Sequence, residues 1–149
     1  MFKKISTVLL ATVFAFSTFS CKSSKKILET SDIDMDDVVL VQHVDIKPMF
    51  DGKNYEQSFR EYLSKNIIYP IEALQKGISG RVVVQFIIEK DGSVRYAKVI
   101  QSVHKSIDAE ALRLIKNSPS WTPGIKDGEA VRVILDCPIT FRNLGIINR

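Results

Sequence analysis

The feature that most constrains this chain is a pair of alternating runs joined by a turn dipeptide. Val82, Val84, Phe86 and Ile88 alternate with Arg81, Val83, Gln85, Ile87 and Glu89, which is the period of a β-strand. Asp91-Gly92 follows, the dipeptide that best accommodates positive backbone dihedrals in a two-residue hairpin. A second alternating run continues from Ser93 to Val103. A β-hairpin is therefore the firmest local expectation.

Helices and further strands flank it. Val38-Val39-Leu40-Val41, with His43 and Val44, reads as a short strand, and Pro48 to Gly52 as a turn. Tyr55 to Ile67 suits a helix, because Phe59, Tyr62, Leu63 and Asn66 fall three or four apart on one stripe. Pro70 stops or restarts it, and Ile71 to Lys76 adds a turn of helix ending at Gly77. After the hairpin, Ser106 offers an N-cap, with Asp108 and Glu110 where the helix dipole favours negative charge. Ile107, Ala111, Leu114 and Ser118 share one face, and Pro119 ends the helix. Trp121-Thr122-Pro123-Gly124 forms a loop with one large aromatic plug, and Ala130 to Phe141 alternates again.

Chain direction limits how that last strand joins the sheet. It points like the second hairpin strand, so it fits antiparallel beside the first, giving the order second–first–third (2-1-3). A right-handed crossover would instead place it parallel beside the second. Either order leaves it at an edge, and Pro138 agrees, because proline lacks the ladder donor. The fold class is α+β: a small antiparallel sheet of three main strands plus a short N-terminal strand, with two helices on it.

The N-terminus reads as targeting sequence. Lys3 and Lys4 precede an apolar run, Ile5 to Phe19, that ends at Ser20 before Cys21. The run is shorter than the roughly 20 apolar residues a spanning helix needs. Ser17-Thr18-Phe19-Ser20-Cys21 resembles a bacterial lipobox, which implies lipid attachment at Cys21 after cleavage. The expected organisation is a signal peptide (1–20), a lipid-anchored flexible linker (21–37) and one domain (38–145). As a random coil that linker spans only about 20–25 Å, holding the domain close to its membrane. Its aspartates, Asp32, Asp34, Asp36 and Asp37, lack the Gly and Glu of a calcium loop, since Asp37 and His43 stand in those places.

The net charge of +4 includes Lys3 and Lys4, so the mature excess is small. No basic cluster in the body of the chain points to nucleic acid. His43 and His104 lie far apart, and His104 reads as a polar contact toward Asp108 at a helix entry. No His or Cys pair has metal spacing, the glycines are scattered turn residues, and Cys137 reads as a small buried hydrophobe. The reading is of a non-enzyme without cofactor or metal.

A resemblance now attaches to these residues. The series comprises Tyr69-Pro70 with Ala73, Gly77-Ile78-Ser79-Gly80-Arg81-Val82, Phe86, Asp91-Gly92-Ser93-Val94, Val99 and Ser102. It continues through Asp108, Glu110-Ala111-Leu112, Trp121-Thr122-Pro123-Gly124, Val131, Pro138-Ile139 and Phe141. In order and spacing it is similar to the TonB C-terminal domain, in the form common among Bacteroidetes-type bacteria. The resemblance implies a three-stranded antiparallel sheet with two helices. It also implies binding of extended segments of outer-membrane receptors by strand addition along the last strand. Carried onto this chain, the binding positions are Arg132, Val133, Ile134, Leu135 and Asp136, with Arg81 on the neighbouring strand.

The alternative for Arg132 and Asp136 is that they are charges protecting an edge from aggregation. Tyr69-Pro70 and Trp121 read as a fold-shaping turn and a core plug. The leader lacks the features of a motor-coupled transmembrane helix, so energy transduction by this chain alone is not expected. The expected role is a periplasm-facing, lipid-anchored module for receptor or other envelope protein segments. Homodimers by strand exchange or edge pairing are left open. The rival is a structural envelope protein that holds peptidoglycan or another protein through a different surface.

Overall fold

A computed structural model describes residues 36–142. The expected signal peptide, Cys21 and the linker before Asp36 lie outside the described residues. In chain order the elements are β1 (Val38–Leu40), a 3-10 turn (Val41–His43), β2 (Met49–Phe50), β3 (Lys53–Asn54), α1 (Tyr55–Asn66) and α2 (Ile71–Gln75). They continue with β4 (Gly80–Ile88), β5 (Val94–Gln101), α3 (Lys105–Lys116), β6 (Trp121–Thr122), β7 (Gly124–Lys126) and β8 (Glu129–Phe141).

The hairpin strand β4 sits centrally, antiparallel to β5 on one side and to β8 on the other. Pairing of β4 with β8 runs from Gly80↔Phe141 to Ile88↔Val133. Two findings extend the expected sheet. Outside β8 lies β1, parallel to it, so the order is β1-β8-β4-β5, and β7 pairs with Glu129–Val131. A second small sheet joins β3, β2 and β6. The sheet is therefore mixed and the α-helices among the described residues number three, where two helices and an antiparallel sheet were expected.

Local chemistry explains the elements. The Asn54 side chain caps α1 by accepting from Glu56 N–H at 2.8 Å. Phe59 and Leu63 turn inward. Helix α3 begins two residues earlier than Ser106 would set it: His104 is the N-cap, its ring Nδ1 accepting from Ser106 N–H at 3.3 Å. Asp108 does not bind the His104 ring. Its carboxylate accepts from the Ser102 hydroxyl and from Val103 N–H at 3.1 Å, fastening the end of β5 to the helix.

The three Asp-Gly dipeptides form two kinds of turn. At Asp51-Gly52 and Asp127-Gly128 both residues have positive φ, and Phe50↔Lys53 and Lys126↔Glu129 pair directly across them. These are the two-residue hairpins that the dipeptide favours. At Asp91-Gly92 only Gly92 has positive φ. Gly92 N–H donates to Glu89 O, and Glu89 N–H to Ser93 O, both at 2.9 Å. The expected two-residue turn is thus a Lys90-Asp91-Gly92 loop with Gly92 left-handed, because the Asp91 carboxylate is drawn to Ser93 N–H at 2.8 Å.

The core lies between the sheet and the helices. Val82, Val84, Phe86 and Ile88 of β4 meet Ile107, Ala111, Leu114 and Ile115 of α3, with Leu135, Ile139 and Phe141 of β8 beside them. Trp121 fills the remaining gap as the expected plug, its ring centroid 4.7 Å from that of Phe59 and 5.0 Å from that of Phe50. Each such pair contributes about 0.5–1.5 kcal/mol beyond its burial. The Trp121 main chain is bound too, its N–H donating to Gly92 O at 2.8 Å.

Candidate functional site

Strand β8 presents two different outer rows. At Arg132, Val133 and Ile134 the row is occupied, since Val38, Val39 and Leu40 of β1 pair there in parallel. This corrects the expectation that the last strand is free along its length. The physical reason is an anchor on Asp37, placed by sequence in the linker. Arg132 donates to the Asp37 carboxylate at 2.7 Å and to both Glu89 oxygens at 2.9 and 3.2 Å, while Lys90 approaches Asp37 at 3.5 Å. The guanidinium also lies 5.9 Å from the Tyr96 ring centre.

The Asp37 carboxyl is held below the usual carboxylate range, first by the Arg132 hydrogen bond and then, against an opposing burial effect, by the Arg132 charge and by Lys90. Arg132 is raised above its ordinary value by the same two carboxylates. Its visible work in the fold is to clamp β1 in place.

From Leu135 to Phe141 the outer side of β8 has no strand partner among the described residues. Pro138 sits within this stretch, where the edge argument placed it. Leu135 is buried with its side chain in the core, and Asp136 is exposed, accepting from the Gln85 amide at 2.9 Å. Arg81 pairs across the sheet with Thr140 and is exposed. Of the six expected positions, the structure brings Leu135, Asp136 and Arg81 to the open stretch and assigns Arg132, Val133 and Ile134 to the covered one.

Helix α1 runs beside the open row and turns it into a groove, which sequence reasoning missed. One part, about 230 Å³, lies between Tyr55, Phe59 and Leu63 of α1 and Leu135, Cys137 and Pro138 of β8, with Phe86 and Trp121 also lining it. The neighbouring part, about 520 Å³, is bordered by Arg60, Leu63 and Ser64 of α1, by Ile67 just after it, by Arg81, and by Pro138, Ile139, Thr140 and Arg142. The available signal was the pairing of an edge proline with the polar flank of α1, but which helix faces that edge is a long-range property.

At its apolar end the groove is also rimmed by Glu56, Arg60 and Asp136. Burial pushes the Cys137 thiol up to about 12, with Arg60 pulling weakly the other way. The Tyr55 phenol is raised by burial and then by Glu56. Such a surface offers unpaired main-chain groups beside apolar side chains. That combination accepts an extended backbone.

Comparison with known proteins gives the wider context. No protein of curated function matches the chain. Two NMR solution structures of the Helicobacter pylori TonB-CTD resemble it. The structure of residues 194–285 shares 29% identity over 61% of this chain and 96% of that one, with a TM-score of 0.46. For that of residues 179–285 the figures are 28%, 62%, 85% and 0.45. The sequence profile of the Gram-negative bacterial TonB protein C-terminal matches residues 65–143, from the end of α1 through β8 and just over half of the chain. The chain belongs to that TonB C-terminal family.

Proposed function

We propose that this protein is a protein-binding module of the cell envelope that docks extended segments by adding them as a strand to β8, from Leu135 to Phe141. The reading places the domain in the periplasm, tethered through lipid at Cys21. Its partners are segments of outer-membrane receptors or of other envelope transport proteins. Family membership supports the class of activity. The observation that carries the proposal is the open row of β8, lying in a groove beside α1 and stopping where β1 begins. A row of unpaired donors and acceptors gives an extended chain its affinity, and alternate side-chain sites give selectivity.

The proposal revises the binding positions. Leu135, Asp136 and Arg81 remain, Cys137 to Arg142 join them, and Arg132, Val133 and Ile134 become available only to a guest that displaces β1.

In vivo photo-crosslinking tests it. A crosslinker at Thr140 should capture an envelope protein through an extended segment, whereas one at Lys98 on the far strand β5 should not. Equal capture from both positions, or none from Thr140, refutes strand addition here. Mass spectrometry of the mature N-terminus checks the anchor: an unmodified Cys21 removes that part of the reading.

A further inference from the structure

We infer that the groove selects acidic segments: the guest carries carboxylates opposite Pro138 to Arg142 and an apolar side chain opposite Leu135 to Cys137. The inference rests on the strand-addition reading above and assigns the guest its chemistry.

The lower part of the groove is bordered by three arginines from different elements, Arg60 on α1, Arg81 on β4 and Arg142 just beyond β8. All three are exposed. No carboxylate borders that part of the groove. Among the described residues none of the three makes an ion pair, whereas Arg113 and Arg132 are each held by carboxylates. Arg60 also borders the upper part beside Glu56 and Asp136, so the excess positive charge of the lower part comes chiefly from Arg81 and Arg142, and a guest carboxylate offsets it. Guanidinium forks also match carboxylates with paired hydrogen bonds, which makes them selective for such a guest.

The upper part has the opposite character. Phe59, Leu63, Phe86 and Trp121 offer an apolar recess, rimmed by Glu56 and Arg60, and burial keeps the Cys137 thiol neutral there. Asp136, the acidic side chain of β8 beside it, is occupied by the Gln85 amide. One groove therefore has an apolar end and a cationic end along a single row of main-chain groups. The chain's own residues after Arg142, Asn-Leu-Gly-Ile-Ile-Asn-Arg, contain no Asp or Glu, so by charge that tail is not the complement.

The test measures binding of short synthetic peptides to the full chain by fluorescence anisotropy. The parent peptide carries two Glu and a Val-Leu pair, and its analogue has Gln for each Glu. Both sequence orders are made, since pairing direction decides which end leads. We expect the Gln analogue to bind about tenfold more weakly at low salt, and the difference to shrink as salt rises. Arg60→Ala and Arg142→Ala, both surface changes, should each remove part of the difference. Arg81→Glu should shift preference toward a Lys-bearing peptide.

Equal binding of parent and analogue overturns charge selection while leaving strand addition standing. Failure of every peptide overturns the strand-addition reading on which it rests. Two further outcomes overturn the inference in favour of another occupant. One is displacement of the peptide by phosphatidylglycerol vesicles at comparable charge, meaning a membrane surface. The other is self-association in sedimentation that is lost in Arg60→Ala, meaning a second copy.

Discussion

Replacing Gly92 by alanine should be among the most damaging single changes in this domain, and the structure supplies the size of the effect. Gly92 has φ +81°, a left-handed conformation that costs an L-residue about 1–2 kcal/mol. Gly128 has the same φ of +81°. The two differ in their surroundings. A Cβ at Gly128 meets nothing within 4 Å, whereas a Cβ at Gly92 would lie 1.9 Å from the Trp121 carbonyl oxygen. That oxygen is main chain and cannot swing aside. Moving it breaks the 2.8 Å bond from Trp121 N–H to Gly92 O, worth about 1 kcal/mol. It also loosens an indole packed on Phe50, Phe59 and Phe86, worth about 1–2 kcal/mol more. Gly128→Ala should therefore cost about 1–2 kcal/mol and Gly92→Ala about 3–5 kcal/mol. Urea unfolding of both variants followed by circular dichroism measures the pair. In thermal melts the gap corresponds to roughly 10–20 °C, at about 4–8 °C per kcal/mol for a domain of this size. Equal losses at the two glycines would refute the argument, since only the contact with Trp121 separates them.

Three other expectations follow from named contacts. Glu110 is 8% exposed, accepting from Ile68 N–H at 2.7 Å and from Arg113 at 2.7 and 2.8 Å. Glu110→Gln should cost about 2 kcal/mol, because the amide turns donors toward a guanidinium. Burial raises its carboxyl, but Arg113 and the Ile68 N–H together bring it below the ordinary value. Its stabilisation is therefore present above the unfolded carboxyl's pKa and is lost as pH falls through the depressed folded one; a wild-type acid titration no steeper than that of the variant would contradict this. Asp37 follows the same sign, lowered chiefly by the Arg132 hydrogen bond, so Asp37→Asn or acid pH should release β1. Hydrogen exchange should quicken at Val39 and Leu40 while β4 stays protected, and unchanged exchange would show that the clamp holds nothing. Cys137, with its thiol pushed up to about 12 by burial, should react slowly with iodoacetamide at neutral pH and more slowly still with guest peptide bound. Rapid labelling of that residue in peptide-mapped digests would place it outside the groove.

The legible parts of this chain were those with a local period. The run Val82 to Ile88, the stripe Phe59, Tyr62 and Leu63, the face Ile107, Ala111 and Leu114, and the alternation through Phe141 all lie in elements of the expected type. Each element buries one face, and burial imposes the period. The turns were less legible, because the same two letters serve different geometries. Asp127-Gly128 makes the tight hairpin that Asp91-Gly92 does not, the difference arising from Ser93 and from distant Trp121. What could not be read was pairing across the fold. Val38 to Leu40 shows that a strand exists, but nothing local says that it covers Arg132 to Ile134. Likewise the sequence marks Arg60, Arg81 and Arg142 only as scattered cations, and the topology alone brings them to one groove. Pro138 was the exception, a single residue whose missing donor reported its position at an edge.

On the strand-addition reading, the arrival of β1 beside β8 makes the docking berth adjustable in length. While Asp37 holds β1 seated, a visitor meets Leu135 to Phe141 and finds the chain's own first strand end to end with it. Once β1 lets go, the vacant berth extends back to Arg132, whose guanidinium keeps its pairing with Glu89. A longer visitor must therefore outcompete a tenant that is covalently attached and never far away, so length of contact and ease of eviction become one trade-off.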